Sequence, residues 1–514
     1  MLFFKEIGEK QRRKREQRRE SLLMNYFSTR NKDASVSASR AILQGISEDG
    51  GLFVPERFPQ VDLKALRQYD YAGLAAYLLG LYLTDYTPSF LEETAAEVYG
   101  GQNFEGKTAN LVETAPGEYV MELWHGPTCA FKDYALQIMP KLLVEAKKIC
   151  WDDSRTLILV ATSGDTGKAA LEGYKNIAGV DIAVFYPDEG TSEIQRLQMA
   201  TQEGENVAVF AARGNFDQVQ SGLKQVFTDE ALKKKMAASG HRFSSANSIN
   251  WGRLAPQIVY YFSSYLALVE QGAVRLGEAV DYCVPTGNFG DILAGYYAKR
   301  MGLPVGRLIC ASNQNNVLTD FLNTGVYDIR REFYKTTSPS MDILISSNLE
   351  RLLYHVTEDC GYVASLMQDL KENGVYTVSP EVLEKIRADF ACGCATDEEV
   401  EAQIRICFKN SKYLSDTHTA VAFKVAADHR KGQPAPRVTV VSSTASPYKF
   451  PKAVIKALGG TVPEDDFEAI SRLENMTNTP APESLCMLRQ KPVRFSEKID
   501  PAAIASLVSS RYEG

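Results

Sequence analysis

No uninterrupted apolar run in the 514-residue chain approaches the length of a membrane span, roughly 18 residues or more. No membrane-spanning segment is expected. Cysteine supplies no framework: the nine residues are odd in number and scattered, as fits a reducing cytoplasm rather than a disulfide scaffold. The closest pair, Cys392 and Cys394, is a C-x-C with no partner cluster, so no metal site is expected. Histidine is scarce. His125, His241, His355, His418 and His429 show neither H-E-x-x-H nor H-x-x-E-H spacing, which removes the zinc hydrolases. A G-x-S-x-G elbow is absent, so an α/β-hydrolase triad has no support. A nucleoside-triphosphate loop is also absent. In Thr162-Ser163-Gly164-Asp165-Thr166-Gly167-Lys168, Thr162 stands where the first glycine is required and Ala169 replaces the magnesium-binding hydroxyl.

With 45% apolar residues, 24% charged residues and a net charge of −7, the chain reads as a globular protein with no nucleic-acid partner. Its length calls for more than one domain. The stretch KEIGEKQRRKREQRRE (Lys5 to Glu20) lacks the apolar core of a secretory signal and is too acidic for a transit peptide. Residues 1–23 are read as a basic tail, disordered or preceding a true start at Met24. A charged helix for RNA or an anionic surface is the alternative. Residues 24–112 read as a small, mainly helical N-terminal domain. In it a turn at Asp49-Gly50-Gly51 leads to a short strand, and apolar spacing predicts helices near Tyr71–Leu83 and Phe90–Val98.

From residue 113 to 514 the rhythm changes to strand, glycine-bearing loop and helix. Predicted strands at 156–160, 181–186, 280–284, 308–312 and 437–442 are rich in apolar residues. Strands of that kind alternating with helices imply two parallel-sheet α/β units covered on both faces, with ligands beyond the carboxyl ends of the strands.

Several loops there have chemical potential. Thr286-Gly287-Asn288-Phe289-Gly290-Asp291 can turn N–H groups toward an anion at the start of a helix. Asn247, Ser248 and Arg253 offer a second anion site through a guanidinium fork. Thr162, Ser163, Asp165 and Thr166 suit a small polar substrate. Lys132, beside Trp124, Phe131 and Tyr134, is either an ordinary surface lysine or a partly desolvated amine able to form a Schiff base with an aldehyde cofactor. Taken singly, the other loops also have plain readings as a tight turn or a solvated arginine.

Together the blocks HGPTCAFKD (His125 to Asp133), ISEDGGLFVPE (46–56), ATSGDTGKAA (161–170), NSINWGRLAPQ (247–257), PTGNFGDILAGYYAKRMGLP (285–304), SPSMDILISSNLERLL (338–353) and SSTASPYKFP (442–451) resemble the threonine synthase family. That family belongs to the fold-type II enzymes dependent on pyridoxal 5'-phosphate. The resemblance implies that Lys132 carries the cofactor and then shuttles protons. It implies that Gly287, Asn288, Phe289, Gly290 and Asp291 hold the cofactor phosphate and that Thr444 faces the ring nitrogen. Phe131 would pack on the ring, and Asp165 would sit near the phenolic oxygen. Thr162, Ser163 and Thr166 would receive the substrate carboxylate or phosphate, and Asn247, Ser248 and Arg253 the substrate phosphate. The implied reaction converts O-phospho-L-homoserine and water to L-threonine and phosphate, in a cytoplasmic monomer or homodimer. A threonine dehydratase, a β-replacing synthase or a threonine synthase-like phospho-lyase is the alternative; the Arg253 cluster argues for a phosphorylated substrate. One departure stands out: Ser446 occupies a place where the family commonly has histidine.

Overall fold

The computed structural model describes residues 23–512 except Ser163, Glu189, Gly190, Asn215 and Gly432. The tail expected at 1–23 therefore lies, but for Leu23, outside the described residues. Three strands come first, β1 (Tyr26–Ser28), β2 (Asn31–Val36) and β3 (Phe53–Pro55), paired antiparallel in the order β2-β1-β3. The helices Tyr71–Tyr82 and Pro88–Tyr99 follow, close to the predicted spans. Each starts where the sequence supplies a cap. Asp70 accepts from the Gly73 N–H, and Thr87 accepts from the Phe90 N–H with Pro88 in the first turn.

The hairpin β4 (Asn110–Ala115) and β5 (Glu118–Glu122) comes next, so the division expected at residue 112 falls inside β4. The chain then forms β6 (Arg155–Ala161), β7 (Val180–Pro187), β8 (Val207–Ala212) and β9 (His241–Ser244). After the long helix Trp251–Glu270 come β10 (Val280–Pro285), β11 (Val305–Ser312), β12 (Val326–Asp328), β13 (Val375–Thr377), β14 (Phe390–Cys394), β15 (Thr439–Ser443) and β16 (Lys498–Ile499). The smaller main sheet has the order β16-β8-β7-β6-β9 and is wholly parallel. The larger has the order β14-β11-β10-β15-β5-β4 and is parallel except for its β4 edge. Two parallel α/β sheets beside a mainly helical N-terminal region are the architecture expected from the sequence.

The apolar runs are explained by burial on both faces. Along β10, Tyr282 and Val284 join one cluster while Cys283 between them joins a second. Along β6, Ile158 and Val160 belong to that first cluster, and Leu157 and Leu159 to a third. With a side-chain period of two, both sets must be apolar. The first cluster unites one face of each sheet, the N-terminal helices and the helix Trp251–Glu270, which is buried on most of its circumference. This common core brings the loops at the carboxyl ends of the two sheets together.

Candidate active site

The His-Gly-Pro-Thr turn is tied to the helix that follows it. Asp133 begins the short helix Asp133–Leu136 and reaches back, accepting from the Thr128 N–H at 2.9 Å and the Thr128 hydroxyl at 2.7 Å. Gly126 packs against this carboxylate so closely that an added β-carbon would lie 2.5 Å from Oδ2. Burial pushes the Asp133 carboxyl up to about 6. The next residues lie against the loop after β15. Ala130 bridges Ala445, the Phe131 N–H donates to the Thr444 carbonyl at 2.9 Å, and the Ser446 N–H donates to Cys129 at 3.1 Å. Ser446, the departure from the family pattern, accepts from the Tyr448 N–H at 3.3 Å and so caps the turn Pro447–Lys449.

Lys132 is only 9% exposed. Its Nζ lies 4.6 Å from the centre of the Phe131 ring and 4.0 Å from Asp165 Oδ2. Burial lowers its pKa to about 8, Asp165 opposes the shift, and Lys449 and Arg253 reinforce it. A neutral fraction of this amine is thus present near neutral pH, as a nucleophile or base requires. Asp165 pairs with Lys449 at 2.7 Å and accepts from Gln195 at 2.9 Å and from Ser340 at 3.3 Å. Burial alone would raise its pKa, but Lys449 and then Lys132 hold the carboxyl well below the ordinary range. Lys449, Gln195 and Ser340 were missed by sequence reasoning. The one available signal was a lysine in the apolar stretch Pro447-Tyr448-Lys449-Phe450-Pro451.

The two strand-to-helix loops differ in detail. After β6 the Thr162 hydroxyl accepts from the N–H groups of Gly164 and Gly167, at 3.0 Å each. Its oxygen therefore folds the loop and caps the helix Asp165–Tyr174. Thr166 is half-buried, while Ser163 lies outside the described residues. After β10, the carbonyls of Gly287 and Asn288 are tied down by the Ser346 hydroxyl at 2.6 Å and by the Asn348 N–H and amide at 3.1 and 3.0 Å. The N–H groups of Gly287, Asn288 and Phe289 have no acceptor among the described residues, and no side chain caps the helix Gly290–Arg300. Phe289 adopts the left-handed region at φ 63°, a conformation costly for a bulky residue and fixed here by its buried ring 5.6 Å from Phe390. An α-carbon substituent at Gly287 would meet the Ser340 carbonyl at 2.9 Å.

Asp291 behaves differently from the expectation that it helps hold a phosphate. Its Oδ1 accepts from Tyr260 at 2.7 Å and Tyr261 at 2.8 Å, and burial pushes its carboxyl up to about 6. An acceptor-only group facing two tyrosines has no donor for a phosphate, so only its backbone at the helix start remains available.

Arg253 is buried without an acid partner among the described residues. It donates from Nη1 to the Ala246 carbonyl while Nε is buried with no acceptor, and burial lowers its pKa to about 10. Of its expected companions, Asn247 is exposed and Ser248 approaches the Asn348 amide at 3.3 Å through its carbonyl. Arg351, also missed, is fully buried and donates to Phe53 O of the N-terminal sheet, to Ile249 O and to Asn348 Oδ1. The Thr444 hydroxyl has no partner among the described residues, and the Thr444 carbonyl accepts from the Phe131 N–H. No cluster of metal-ligating side chains is present among the described residues.

Three family models match the chain: "Threonine synthase N terminus" over residues 25–99, "Pyridoxal-phosphate dependent enzyme" over 110–444, and "Threonine synthase, C-terminal" over 419–508. The chain is 39% identical to threonine synthase of Pseudomonas aeruginosa over 447 residues, covering 86% of this chain and 92% of that protein. The chain belongs to the threonine synthase family. Human threonine synthase-like 1 is 40% identical over 436 residues, covering 82% of this chain, and the match spans only 58% of the human protein's length. Among solved structures, PLP-bound threonine synthase from Brucella melitensis superposes with a TM-score of 0.84 at 37% identity, covering 95% of this chain and 99% of that one. Yeast threonine synthase has the same TM-score, 0.84, at 33% identity, covering 95% and 98% of the two chains.

Membership of this threonine synthase family makes the chain a fold-type II enzyme whose cofactor is pyridoxal phosphate. Its residues fit that group. A buried amine of lowered pKa suits an aldehyde, the unsatisfied 287–289 N–H groups at an uncapped helix suit a phosphate, and the free Thr444 hydroxyl suits a ring nitrogen. The unpaired Arg253 leaves a second cation for a second anion.

Proposed function

We propose that this member of the threonine synthase family converts O-phospho-L-homoserine and water to L-threonine and inorganic phosphate. The observation that carries the reading is Arg253, a buried guanidinium with an unsatisfied Nε and no carboxylate partner among the described residues, close enough to Lys132 to depress its pKa. A substrate with its own phosphoryl group supplies the missing partner.

In this proposal Lys132 would hold pyridoxal phosphate through its amine, and the backbone N–H groups of Gly287, Asn288, Phe289 and Gly290 would hold the cofactor phosphate. Asp291 would contribute through the helix start alone. Thr444 would serve the ring nitrogen, Phe131 the ring and Asp165 the phenolic oxygen. When bound, pyridoxal phosphate accepts the electron pair left as the proton on the substrate's α-carbon departs. Lys132, neutral in part because its pKa is about 8, would take that proton and then one from Cβ as the phosphate leaves Cγ, with one proton delivered to Cγ and one returned to the α-carbon. Arg253, with Asn247 and Ser248, orients the phosphoryl ester for departure from Cγ. Thr166 and Ser163 hold the substrate carboxylate, while Thr162 supports their loop. A buried site admits one water to Cβ and excludes bulk solvent from the reacting carbons.

A second reading is a phospho-lyase on the same site, which would release phosphate, ammonia and a 2-oxo acid in place of threonine; the chain is also similar to human threonine synthase-like 1. The two are separated by incubating the protein with O-phospho-L-homoserine and measuring phosphate, threonine and 2-oxo acid together. Equal yields of threonine and phosphate support the first reading, and phosphate with 2-oxo acid supports the second. Keto-acid release from threonine or serine, with no phosphate from phosphohomoserine, overturns both. A cytoplasmic monomer or homodimer is part of the proposal. It agrees with nine cysteines that form no disulfide among the described residues.

A further inference from the structure

Two amines compete for one carboxylate in the cleft, and the wrong one wins if Asp165 is there to hold Lys132. Lys449 is fully buried, donates to the Thr128 carbonyl at 3.0 Å, and stands 2.7 Å from Asp165 Oδ1. Gln195 donates to the same oxygen at 2.9 Å, and Ser340 approaches Oδ2 at 3.3 Å. Lys132 is left 4.0 Å from Oδ2, beyond hydrogen-bonding range. We infer that Lys449 is a positioning residue that draws the Asp165 carboxylate away from Lys132, leaving the reacting amine in a buried site with no carboxylate within hydrogen-bonding distance.

The placement has a chemical reason. A buried lysine paired directly with a carboxylate stays protonated and is neither nucleophile nor base. Burying Lys132 with no carboxylate at all would leave the cleft with only positive charge, since Arg253 and Lys449 also face it. Asp165 compensates that charge, and Lys449 decides which amine receives the short contact. The charged groups that act on Lys132 are Asp165, Lys449, Arg253, Asp133 and Asp291. Of these, Asp133 is engaged with Thr128 and Asp291 with two tyrosines, so Asp165 is the carboxylate whose orientation matters. Lys449 also bridges elements: Asp165 starts the helix after β6 of the smaller sheet, whereas Lys449 follows β15 of the larger one.

The inference rests on Lys132 being the reacting amine, but its test needs neither cofactor turnover nor substrate. The full chain without cofactor is labelled with trace acetic anhydride across a pH series, and the Lys132 peptide is quantified by mass spectrometry. The wild-type midpoint is expected near the lowered pKa of about 8. Lys449→Met is expected to raise it by about one unit, cutting labelling at the wild-type midpoint severalfold and, well below both midpoints, about tenfold. Lys449→Arg, which keeps the charge, restores most of the wild-type profile. Lys449→Gln keeps a donor for Thr128 without the charge and covers the case in which the methionine variant does not fold. To separate action through Asp165 from direct repulsion, Lys449→Met is repeated in an Asp165→Asn background, where its shift should shrink to a minor fraction. A wild-type midpoint in the ordinary lysine range, an unchanged midpoint in the neutral variants, or an equal shift in both backgrounds overturns the inference. Loss of threonine formation with these midpoints intact would instead count against the proposed reaction and leave the role of Lys449 standing.

Discussion

The loops after β6 and β10 are built from the same sequence grammar, an apolar strand, two glycines, an aspartate and a helix, yet they expose opposite groups. After β6, Thr162 turns inward to cap the helix and Asp165 carries its charge into the cleft. After β10, Asp291 turns inward to Tyr260 and Tyr261, and the backbone N–H groups of 287–289 are left without an acceptor among the described residues. One loop therefore presents a negative side chain and the other a partial positive charge. The difference arises because each buried acid is held by what packs beneath it, a lysine in one case and two phenols in the other. Charge sign in such loops is set by the supporting layer rather than by the loop's own residues.

The comparison breaks most severely at the amine that both acids act upon. Lys132→Ala is expected to lower phosphate release from O-phospho-L-homoserine by on the order of 10⁴-fold and to abolish covalent attachment of cofactor, checked by borohydride reduction and mass spectrometry. Next in size is Asp165→Asn, which leaves Lys449 buried without its counter-charge. A loss of about 3–5 kcal/mol in unfolding free energy is expected from denaturant titration at neutral pH. The pKa of Asp165 is lowered, so its contribution is present above the ordinary carboxylate pKa and is lost only in strong acid.

Asp291→Asn sharpens the contrast through the opposite sign. Its wild-type carboxyl is raised from 3.8 to about 6, so its favourable contribution is present below 3.8 and disappears as pH rises through 6. The variant should match wild type near pH 4 and exceed it at pH 8 by up to ~3 kcal/mol, read from paired melts of the cofactor-free chain. The smallest effect belongs to Thr162→Val. Removing the cap on the helix Asp165–Tyr174 should cost about 1–2 kcal/mol of stability and change turnover less than any replacement of Lys132. A loss of turnover as large as that of Lys132→Ala would mean that the hydroxyl touches substrate after all.

The alternation of strands and helices was legible because buried parallel strands must be apolar on both faces, as β6 and β10 are. The Lys132 turn, the glycines at 287 and 290, and Arg253 were legible because their residue types are unusual at strand-to-helix junctions. What the sequence hid depends on contacts between distant segments. Thr162 and Asp291 read as ligands until their hydroxyl and carboxylate are seen engaged with the backbone of 164–167 and with Tyr260 and Tyr261. Lys449 lies nearly three hundred residues from Asp165, and local spacing gives no sign of the pair. The block at 338–353 was recognised as a family feature with no role attached; the hydrogen bonds of Ser346 and Asn348 to the carbonyls of Gly287 and Asn288 supply one.

The guanidinium of Arg351 has a consequence for how the molecule can be divided. It serves as a single rivet through three plates: the end of the first small sheet at Phe53, the Ile249 carbonyl ahead of the central helix, and Asn348 under the turn after β10. An excised catalytic region beginning after residue 100 would carry that rivet with its first plate gone and a solvent-free cation short of an acceptor. Residues 24–100 are for that reason part of the scaffold that shapes the cofactor turn, and not a detachable preface to it.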